Sequence, residues 1–188
     1  MNKRRLLVLG GARSGKSQFA QDLARRTADR VLFVATAEPL DEEMRQRIVD
    51  HQRGRPQHWR TLEAPVKVGA KIAENLGDAE LVIIDCITLL ASNLLTKGHT
   101  ESENIDFVAA EKQVMAEIED IITCMGKTSA GFIIVSNEVG LGLVPGTPLE
   151  RAYRDILGRA NQLLAKGVDE VYLLVAGIPL EIKRLGGM

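Results

Sequence analysis

Residues 6–17 read Leu-Leu-Val-Leu-Gly-Gly-Ala-Arg-Ser-Gly-Lys-Ser, and this stretch decides the fold. A short apolar run from Leu6 to Leu9 leads into a complete G-x-x-x-x-G-K-S loop, and a helical pattern follows. A glycine-rich turn from a strand into a helix points successive backbone N–H groups into one concavity, where the helix N-terminus adds positive potential. The stretch therefore predicts a phosphate-binding loop.

The individual loop residues have distinct expected roles. Lys16 is expected to reach the outer phosphates of a nucleoside triphosphate, and the hydroxyl of Ser17 to ligate a Mg²⁺ that bridges them. Gly10 and Gly15 permit the turn. We assign the whole loop to nucleotide binding, namely Gly10, Gly11, Ala12, Arg13, Ser14, Gly15, Lys16 and Ser17.

Apolar runs alternate with helical patterns along the rest of the chain, which is typical of a parallel sheet wrapped by helices. The predicted strands are 5–9, 31–36, 80–85, 131–136, 170–175 and 178–183. The predicted helices are 15–28, 41–53, 65–76, 86–96, 103–126 and 148–166, with an exposed loop at 96–102. We expect an α/β fold of the P-loop nucleotide triphosphate hydrolase type, with a mostly parallel sheet, helices on both faces and a single domain over residues 1–188.

Composition narrows the possible partners and location. The net charge is −1, with 24 basic and 25 acidic residues interspersed, so no broad electropositive face for nucleic acid is expected. The first apolar stretch ends at Gly10, too short for a signal peptide, and no segment approaches the roughly 18 apolar residues of a membrane span. Cys86 and Cys124 lack C-x-x-C spacing, which favours reduced thiols over a disulfide or metal site and predicts a cytoplasmic protein.

Asp85 ends the apolar run Leu81-Val-Ile-Ile, at the sheet edge where such folds bind ligands. A carboxylate there is expected to hold Mg²⁺ from the side opposite Ser17. The alternative is that Asp85 caps the N-terminus of the following helix.

A cluster of cations and imidazoles follows the second predicted strand: Arg45, Arg47, His51, Arg53, Arg55, His58 and Arg60. Arginine forks suit phosphate geometry, so the cluster could form a site for a polyanion. Equally, it could be the solvated face of an amphipathic helix. A neutral imidazole at His51 could attack phosphorus and form a phosphoramidate, although a single histidine is more often structural.

Several strings, in order along nearly the whole chain, carry a resemblance to one family. They are the loop 10–17, Val34-Ala-Thr-Ala, Asp41-Glu-Glu-Met-Arg, 47–56, Trp59-Arg-Thr-Leu-Glu, Asp85-Cys-Ile-Thr, Ser92-Asn-Leu-Leu and 136–145. The chain resembles the bifunctional adenosylcobinamide kinase / adenosylcobinamide-phosphate guanylyltransferase family of cobamide nucleotide-loop assembly.

The resemblance implies a two-stage enzyme that uses ATP or GTP with Mg²⁺, and implies His51 and Lys16 as catalytic residues. Adenosylcobinamide would first take a γ-phosphoryl group. His51 would then attack the α-phosphorus of GTP, expel pyrophosphate and carry GMP to adenosylcobinamide phosphate, which gives adenosylcobinamide-GDP. His58 and His99 would be structural or surface residues.

The resemblance also implies nucleotide contacts outside the loop, at Ala35, Thr36, Ala37, Gln52, Arg53, Gly54, Arg55, Glu63 and Asp85, with Ser17 and Asp85 as metal ligands. Glu63 would read the N1 and N2 donors of guanine, although its sequence context equally suits a solvated surface carboxylate. The family further implies a homotrimer. The segment 136–145 is expected to be a mobile loop near the corrinoid or phosphate, or else a tight turn.

Two other functions remain open at this point. A plain small-molecule kinase would use the arginines to clamp phosphate and leave His51 as a packing residue. A non-catalytic nucleotide-binding module would bind nucleotide without acting on any corrinoid.

Overall fold

A computed structural model of the protein describes residues 4–39, 41–96 and 105–187, without the side chains of Glu43, Arg47, Asp50 and His51. The strands are β1 (Arg5–Gly10), β2 (Val31–Ala35), β3 (Arg60–Glu63), β4 (Leu81–Asp85), β5 (Gly131–Val135), β6 (Glu170–Val175) and β7 (Ile178–Glu181). The helices are α1 (Lys16–Thr27), α2 (Glu42–Arg53), α3 (Val68–Asn75), α4 (Ile87–Thr96), α5 (Phe107–Lys127), α6 (Pro148–Gly167) and α7 (Ile182–Leu185).

The strands form one seven-stranded sheet in the order β3-β2-β4-β5-β1-β6-β7. Strand β7 pairs antiparallel with β6, and the other neighbouring pairs are parallel. Parallel strands that are covered on both faces read as continuous apolar runs, which is why the sequence revealed them. The expected α/β fold with a mostly parallel sheet is confirmed.

Some predicted boundaries were wrong. Strand β3 was not predicted, because it is a short edge strand with three of its four residues exposed. The predicted strand 178–183 ends at Glu181, and the chain turns into α7. The predicted helix 65–76 begins only at Val68, since Lys67 has a left-handed backbone with φ 57° that interrupts a helix. Part of the predicted helix start at 103–106 and most of the loop 96–102 lie outside the described residues.

Helices cover both faces of the sheet, as expected. Alternate residues of the central strands, such as Leu7, Val34 and Ile84, pack in one buried cluster with helices α3 to α6. Their neighbours, such as Val8 and Phe33, pack in a second cluster with α1 and Trp59. Packing in these two clusters holds the strands in place, and so positions the loops that follow them.

The carboxyl ends of the strands form a continuous row. Ala35 lies in register with Glu63 on one side and with Asp85 on the other, and Asp85 is in register with Val135. Strand β5 therefore separates the strand that carries Asp85 from the strand that leads into the 10–17 loop. The predicted site residues of four strands thus converge on one sheet edge.

The two cysteines are free thiols, with Cys86 half-buried and Cys124 buried. Within the described ranges, none of the helices is both long and apolar enough to cross a membrane.

Candidate active site

The 10–17 loop has the backbone of an anion-binding turn. Gly10 has φ 153°, and a Cβ at this position would lie 2.6 Å from the Leu174 carbonyl oxygen and from Ser14 Oγ, so only glycine fits. Helix α1 begins directly after Gly15, with no side-chain cap and no acidic residue in its first turn. Its first N–H groups and the positive end of its dipole are therefore available to an external anion.

Lys16 closes this loop. Its ammonium donates to the Gly11 carbonyl oxygen at 2.6 Å and to Ser14 Oγ at 3.4 Å, and the residue is only 7% exposed. Burial lowers the pKa of the ammonium, and negative charge on Cys86 or Asp85 would oppose that shift. A bound phosphate would favour the charged ammonium in the same way.

Asp85 faces this lysine from the end of β4. Helix α4 begins at Ile87, and its first main-chain hydrogen bond runs from the Leu90 N–H to the Cys86 carbonyl, so Cys86 occupies the cap position. The alternative that Asp85 itself caps the helix is wrong. The carboxylate is half-buried and close enough to influence the pKa of both Lys16 and Arg55.

Arg55 is a second cation that Asp85 influences. Its guanidinium lies 3.5 Å above the centroid of the buried Phe33 ring, and burial lowers its pKa while Asp85 opposes that shift. Nε and Nη1 are buried without a hydrogen-bond partner among the described residues. A buried guanidinium with unused donors is costly, and a phosphate or nucleotide oxygen would supply the missing acceptors.

The remaining members of the arginine and histidine cluster are dispersed. Arg60 donates to the carbonyl oxygens of Asn75 and Leu76 at the end of α3, which is a structural role. Arg45 pairs with Glu42 on the exposed surface, and His58 is exposed. The side chains of Arg47 and His51, and all of His99, lie outside the described part of the chain.

Helix α2 carries the backbone of His51 near its end. Asp41 caps its start by accepting the Met44 N–H at 2.7 Å, and Gly54 follows its last residue. Gln52, Arg53 and Gly54 are exposed, and Arg25 donates to the Gly54 carbonyl oxygen at 2.5 Å. Arg55 follows this helix in the chain and stacks on Phe33 of β2.

The strand end 35–37 is partly closed to a ligand. Thr36 is fully buried, its N–H donates to the Asp85 carbonyl oxygen, and its hydroxyl bridges the N–H and carbonyl of Cys86. Any nucleotide contact by a side chain of this segment therefore belongs to the half-exposed Ala35 and Ala37. Glu63, on the neighbouring strand, is exposed.

Sequence reasoning missed the side chain that holds these two strand ends. Asn93, on α4, donates from Nδ2 to the Thr36 carbonyl oxygen at 2.8 Å and to the Pro65 carbonyl oxygen at 3.0 Å. It is a polar residue in an otherwise largely apolar helix, Ile87–Thr96, and that contrast was the available indication.

The segment 136–145 begins beside the 10–17 loop. The Glu138 N–H donates to the Gly10 carbonyl oxygen at 3.0 Å. At its far end, Arg151 donates to the carbonyl oxygens of Pro145 and Gly146, and Thr147 forms a capping box with Glu150. Both ends are therefore anchored, while three apolar side chains between them stand largely in solvent: Leu141 at 85%, Leu143 at 95% and Val144 at 73% exposure.

The described residues contain no group of three or more His, Cys, Asp and Glu side chains that could hold a metal ion alone. Ser17 and Asp85 nevertheless suit Mg²⁺, which takes oxygen ligands and is commonly held by one or two protein groups together with substrate phosphates. The proximity of Asp85 to Lys16, the neighbour of Ser17, is consistent with such a shared site.

One sequence family accounts for this arrangement, since the model of the cobinamide kinase / cobinamide phosphate guanyltransferase family matches residues 6–182. The chain belongs to this family. The bifunctional adenosylcobalamin biosynthesis protein CobU of Escherichia coli (strain K12) is 42% identical over 180 residues, which cover 95% of this chain and 99% of that protein. The bifunctional adenosylcobalamin biosynthesis protein CobP of Pseudomonas aeruginosa is 38% identical over 177 residues, covering 94% and 96% of the two chains.

Membership in the cobinamide kinase / cobinamide phosphate guanyltransferase family makes the chain an enzyme with both of these activities. Among solved structures, a DnaB-like replicative helicase has a TM-score of 0.50 at 12% identity, and the match covers 91% of this chain and 46% of the helicase chain. At that identity the likeness shows the fold alone.

Proposed function

We propose that this enzyme phosphorylates adenosylcobinamide and then transfers GMP to the product through a histidine intermediate, as a step of cobalamin biosynthesis. The family match over residues 6–182 is the observation that carries the proposal. The described geometry supports it independently, because Lys16, Asp85 and Arg55 meet beside an uncapped helix N-terminus. That combination suits a nucleoside triphosphate.

In the kinase step, a hydroxyl oxygen of adenosylcobinamide attacks the γ-phosphorus of ATP or GTP, and the nucleoside diphosphate leaves. Lys16 and the N–H groups at the start of α1 hold the outer phosphate oxygens. Ser17 and Asp85 would hold Mg²⁺, which supplies neutralising charge to the phosphate oxygens when it is bound. Such chemistry depends mainly on positioning and charge, which the loop provides.

In the transfer step, an imidazole nitrogen of His51 attacks the α-phosphorus of GTP. A nitrogen–phosphorus bond forms, the bond to pyrophosphate breaks, and the second ring nitrogen gives up its proton. A phosphate oxygen of adenosylcobinamide phosphate then attacks the same phosphorus, which releases the histidine and yields adenosylcobinamide-GDP. Covalent catalysis of this kind divides one difficult transfer into two easier steps.

The strand row suggests how the guanine nucleotide lies. Glu63 is on β3, four strand spacings from β1, or about 19 Å along the sheet edge. A nucleotide with its phosphates in the 10–17 loop must extend across β5, β4 and β2 for its base to approach Glu63. This pose places the middle of the nucleotide near Asp85 and Arg55, and lets the Glu63 carboxylate select guanine over adenine.

The two steps need different geometries, because the γ-phosphorus must face the acceptor in one and the α-phosphorus must face His51 in the other. We propose that helix α2 changes position between them. In support, each α2 side chain that the structure describes is at least partly exposed, including Met44, Ile48 and Val49. A helix with so little buried surface moves at low cost. Nucleotide-bound structures with α2 in one place through both steps would contradict this.

The corrinoid and the quaternary structure complete the proposal. Leu141, Leu143 and Val144, exposed on an anchored loop beside the nucleotide site, are suited to contact the corrinoid of both substrates.

A homotrimer would cover the apolar residues exposed at the β6–β7 edge. The free thiols of Cys86 and Cys124 support placement in the reducing cytoplasm.

The products test the proposal directly. Purified enzyme is incubated with adenosylcobinamide, Mg²⁺ and GTP, and the corrinoids are separated and weighed by mass spectrometry. We expect adenosylcobinamide-GDP from the unaltered enzyme, and adenosylcobinamide phosphate alone from His51→Ala. A guanylylated product from His51→Ala would contradict the histidine route, and an unchanged corrinoid with the unaltered enzyme would contradict both steps.

A further inference from the structure

Asn93 links the two chain segments that continue beyond the last main-chain hydrogen bond between β2 and β3. The pairing of β2 with β3 ends at Ala35 and Glu63, followed by one further bond from the Ala64 N–H to the Ala35 carbonyl. Beyond that bond, the Asn93 amide reaches both chains: Nδ2 donates at 2.8 Å to the Thr36 carbonyl and at 3.0 Å to the Pro65 carbonyl. The Asn93 amide is thus a further link between the two chains, placed just beyond the end of the ladder.

The other polar groups of Thr36 reinforce this link. Its hydroxyl donates to the Cys86 carbonyl at 2.7 Å and accepts the Cys86 N–H at 2.8 Å. Thr36 is thereby joined to the turn after Asp85 and, through Asn93, to the turn after Glu63. A buried carbonyl that loses its donor pays a desolvation cost, so loss of the Asn93 amide would destabilise the present position of Thr36.

We infer that Asn93 is a positioning residue for base recognition, one that fixes the Ala35–Ala37 segment relative to Glu63 and so sets the preference for guanine over adenine. This inference rests on the proposed function, which assigns those two segments to the base end of the nucleotide. Both of the hydrogen bonds that Asn93 donates go to backbone carbonyls, one at each of these chain segments. Its effect on the base is therefore exerted through the strands.

The position of Asn93 predicts a selective defect. In the proposed function the phosphates are bound by Lys16 and the start of α1, which follow β1 in the chain. Neither of them hydrogen-bonds to Asn93. Loss of the amide should move the base-reading segments and leave phosphate binding in place. A general loss of stability would instead weaken all nucleotides alike.

The test measures the dissociation constants of GDP and ADP for four proteins: the unaltered enzyme, Asn93→Ala, Asn93→Asp and Asn161→Ala. Asn93→Asp keeps the side-chain volume but turns a carboxylate oxygen toward two carbonyls. Asn161→Ala is the matched control, because Asn161 is 5% exposed and also donates from Nδ2 to a backbone carbonyl, that of Asn137, at 3.0 Å. Circular dichroism confirms that each variant is folded.

We expect both Asn93 variants to lower the ratio of GDP affinity to ADP affinity at least about fivefold, with ADP affinity nearly constant, and Asn161→Ala to leave the ratio unchanged. An unchanged ratio in a folded Asn93 variant, or an equal change in Asn161→Ala, would overturn the inference.

Glu63→Gln separates this outcome from a failure of the proposed function. If the unaltered enzyme prefers GDP and Glu63→Gln removes the preference while Asn93→Ala does not, the inference alone fails. If the unaltered enzyme shows no preference, or Glu63→Gln leaves it intact, the proposed base site fails and the inference fails with it.

Discussion

At the scale of single residues, the site contains two cations whose burial is not fully offset by hydrogen bonds or opposite charge. Lys16 and Arg55 are both buried enough for their pKa values to be lowered, and negative charge on Asp85 opposes that shift at both residues. Burying a charged group without full pairing costs free energy. An anionic ligand would relieve that cost, which supports the proposal that the site binds phosphate.

Arg55→Met tests this reading of the buried guanidinium. Methionine keeps most of the packing on Phe33 and removes the donors, so the dissociation constant for GTP should rise about tenfold or more while thermal stability does not fall. Arg45→Met is the control, since Arg45 is an exposed partner of Glu42 and such surface pairs contribute little. An unchanged GTP affinity in Arg55→Met, or a large loss of stability, would show that the arginine is structural.

Lys16 predicts a pH dependence of nucleotide binding. Its pKa in the free enzyme lies below the ordinary 10.5 because of burial, and bound phosphate raises it again. The protonated ammonium is the binding form, so GDP affinity should be constant near neutral pH and should fall as the pH rises through the lowered pKa. Titration calorimetry between about pH 7 and pH 10 measures this.

The matched variant for that titration is Lys16→Met, in which the weaker affinity should no longer fall over the same range. The same alkaline decline in both proteins would assign it to another group. A flat profile in the unaltered enzyme would show that burial does not perturb the lysine in solution.

At the scale of elements, the loop between β5 and α6 combines fixed ends with an apolar centre. Leu143→Ser is expected to raise the KM for adenosylcobinamide several-fold, because the exposed leucine would contact the corrinoid, and to leave the dissociation constant for GDP unchanged. Steady-state kinetics and calorimetry on one preparation check both values. Val108→Ser, at a residue 79% exposed at the start of α5, serves as the control. An equal change in both variants would remove the loop from the corrinoid site.

The same elements show what the sequence could and could not predict. Continuous apolar runs such as Leu81-Val-Ile-Ile located the central strands, and apolar spacing located α6, because burial imposes those patterns. Strand β3 was not predicted, because Arg60, Thr61 and Glu63 are exposed on an edge strand and form no apolar run. The glycine and lysine positions of the 10–17 loop were predictable because the turn geometry permits few alternatives.

The geometry of the site was less accessible. The sequence grouped Arg55 with six other basic or imidazole residues, and only the strand order and the stacking on Phe33 distinguish it from Arg60, which serves the end of α3. Asn93 was equally hidden, because its two acceptors are backbone carbonyls 57 and 28 residues away in the chain. Long-range contacts of this kind leave little trace in one sequence.

At the scale of the whole molecule, four exposed apolar residues mark the β6–β7 edge and the short helix after it: Val175, Ile178, Leu180 and Leu185. An exposed apolar edge strand tends to pair with another chain, and the proposed homotrimer would provide that chain. Sedimentation velocity should give about three times the chain mass of 20.6 kDa for the unaltered enzyme and the mass of one chain for Ile178→Glu. A trimer that survives this substitution would place the subunit contact elsewhere, and a monomeric unaltered enzyme would refute the trimer.

The central claim is that one chain passes GMP through His51, and a labelling experiment tests it most directly. The enzyme and His51→Ala are incubated with Mg²⁺ and GTP carrying a radioactive phosphorus at either the α or the γ position, and the protein is assayed for acid-labile, alkali-stable label. We predict label from the α position only, and none in His51→Ala. Absence of α-label from the unaltered enzyme, or its retention in His51→Ala, would contradict the account.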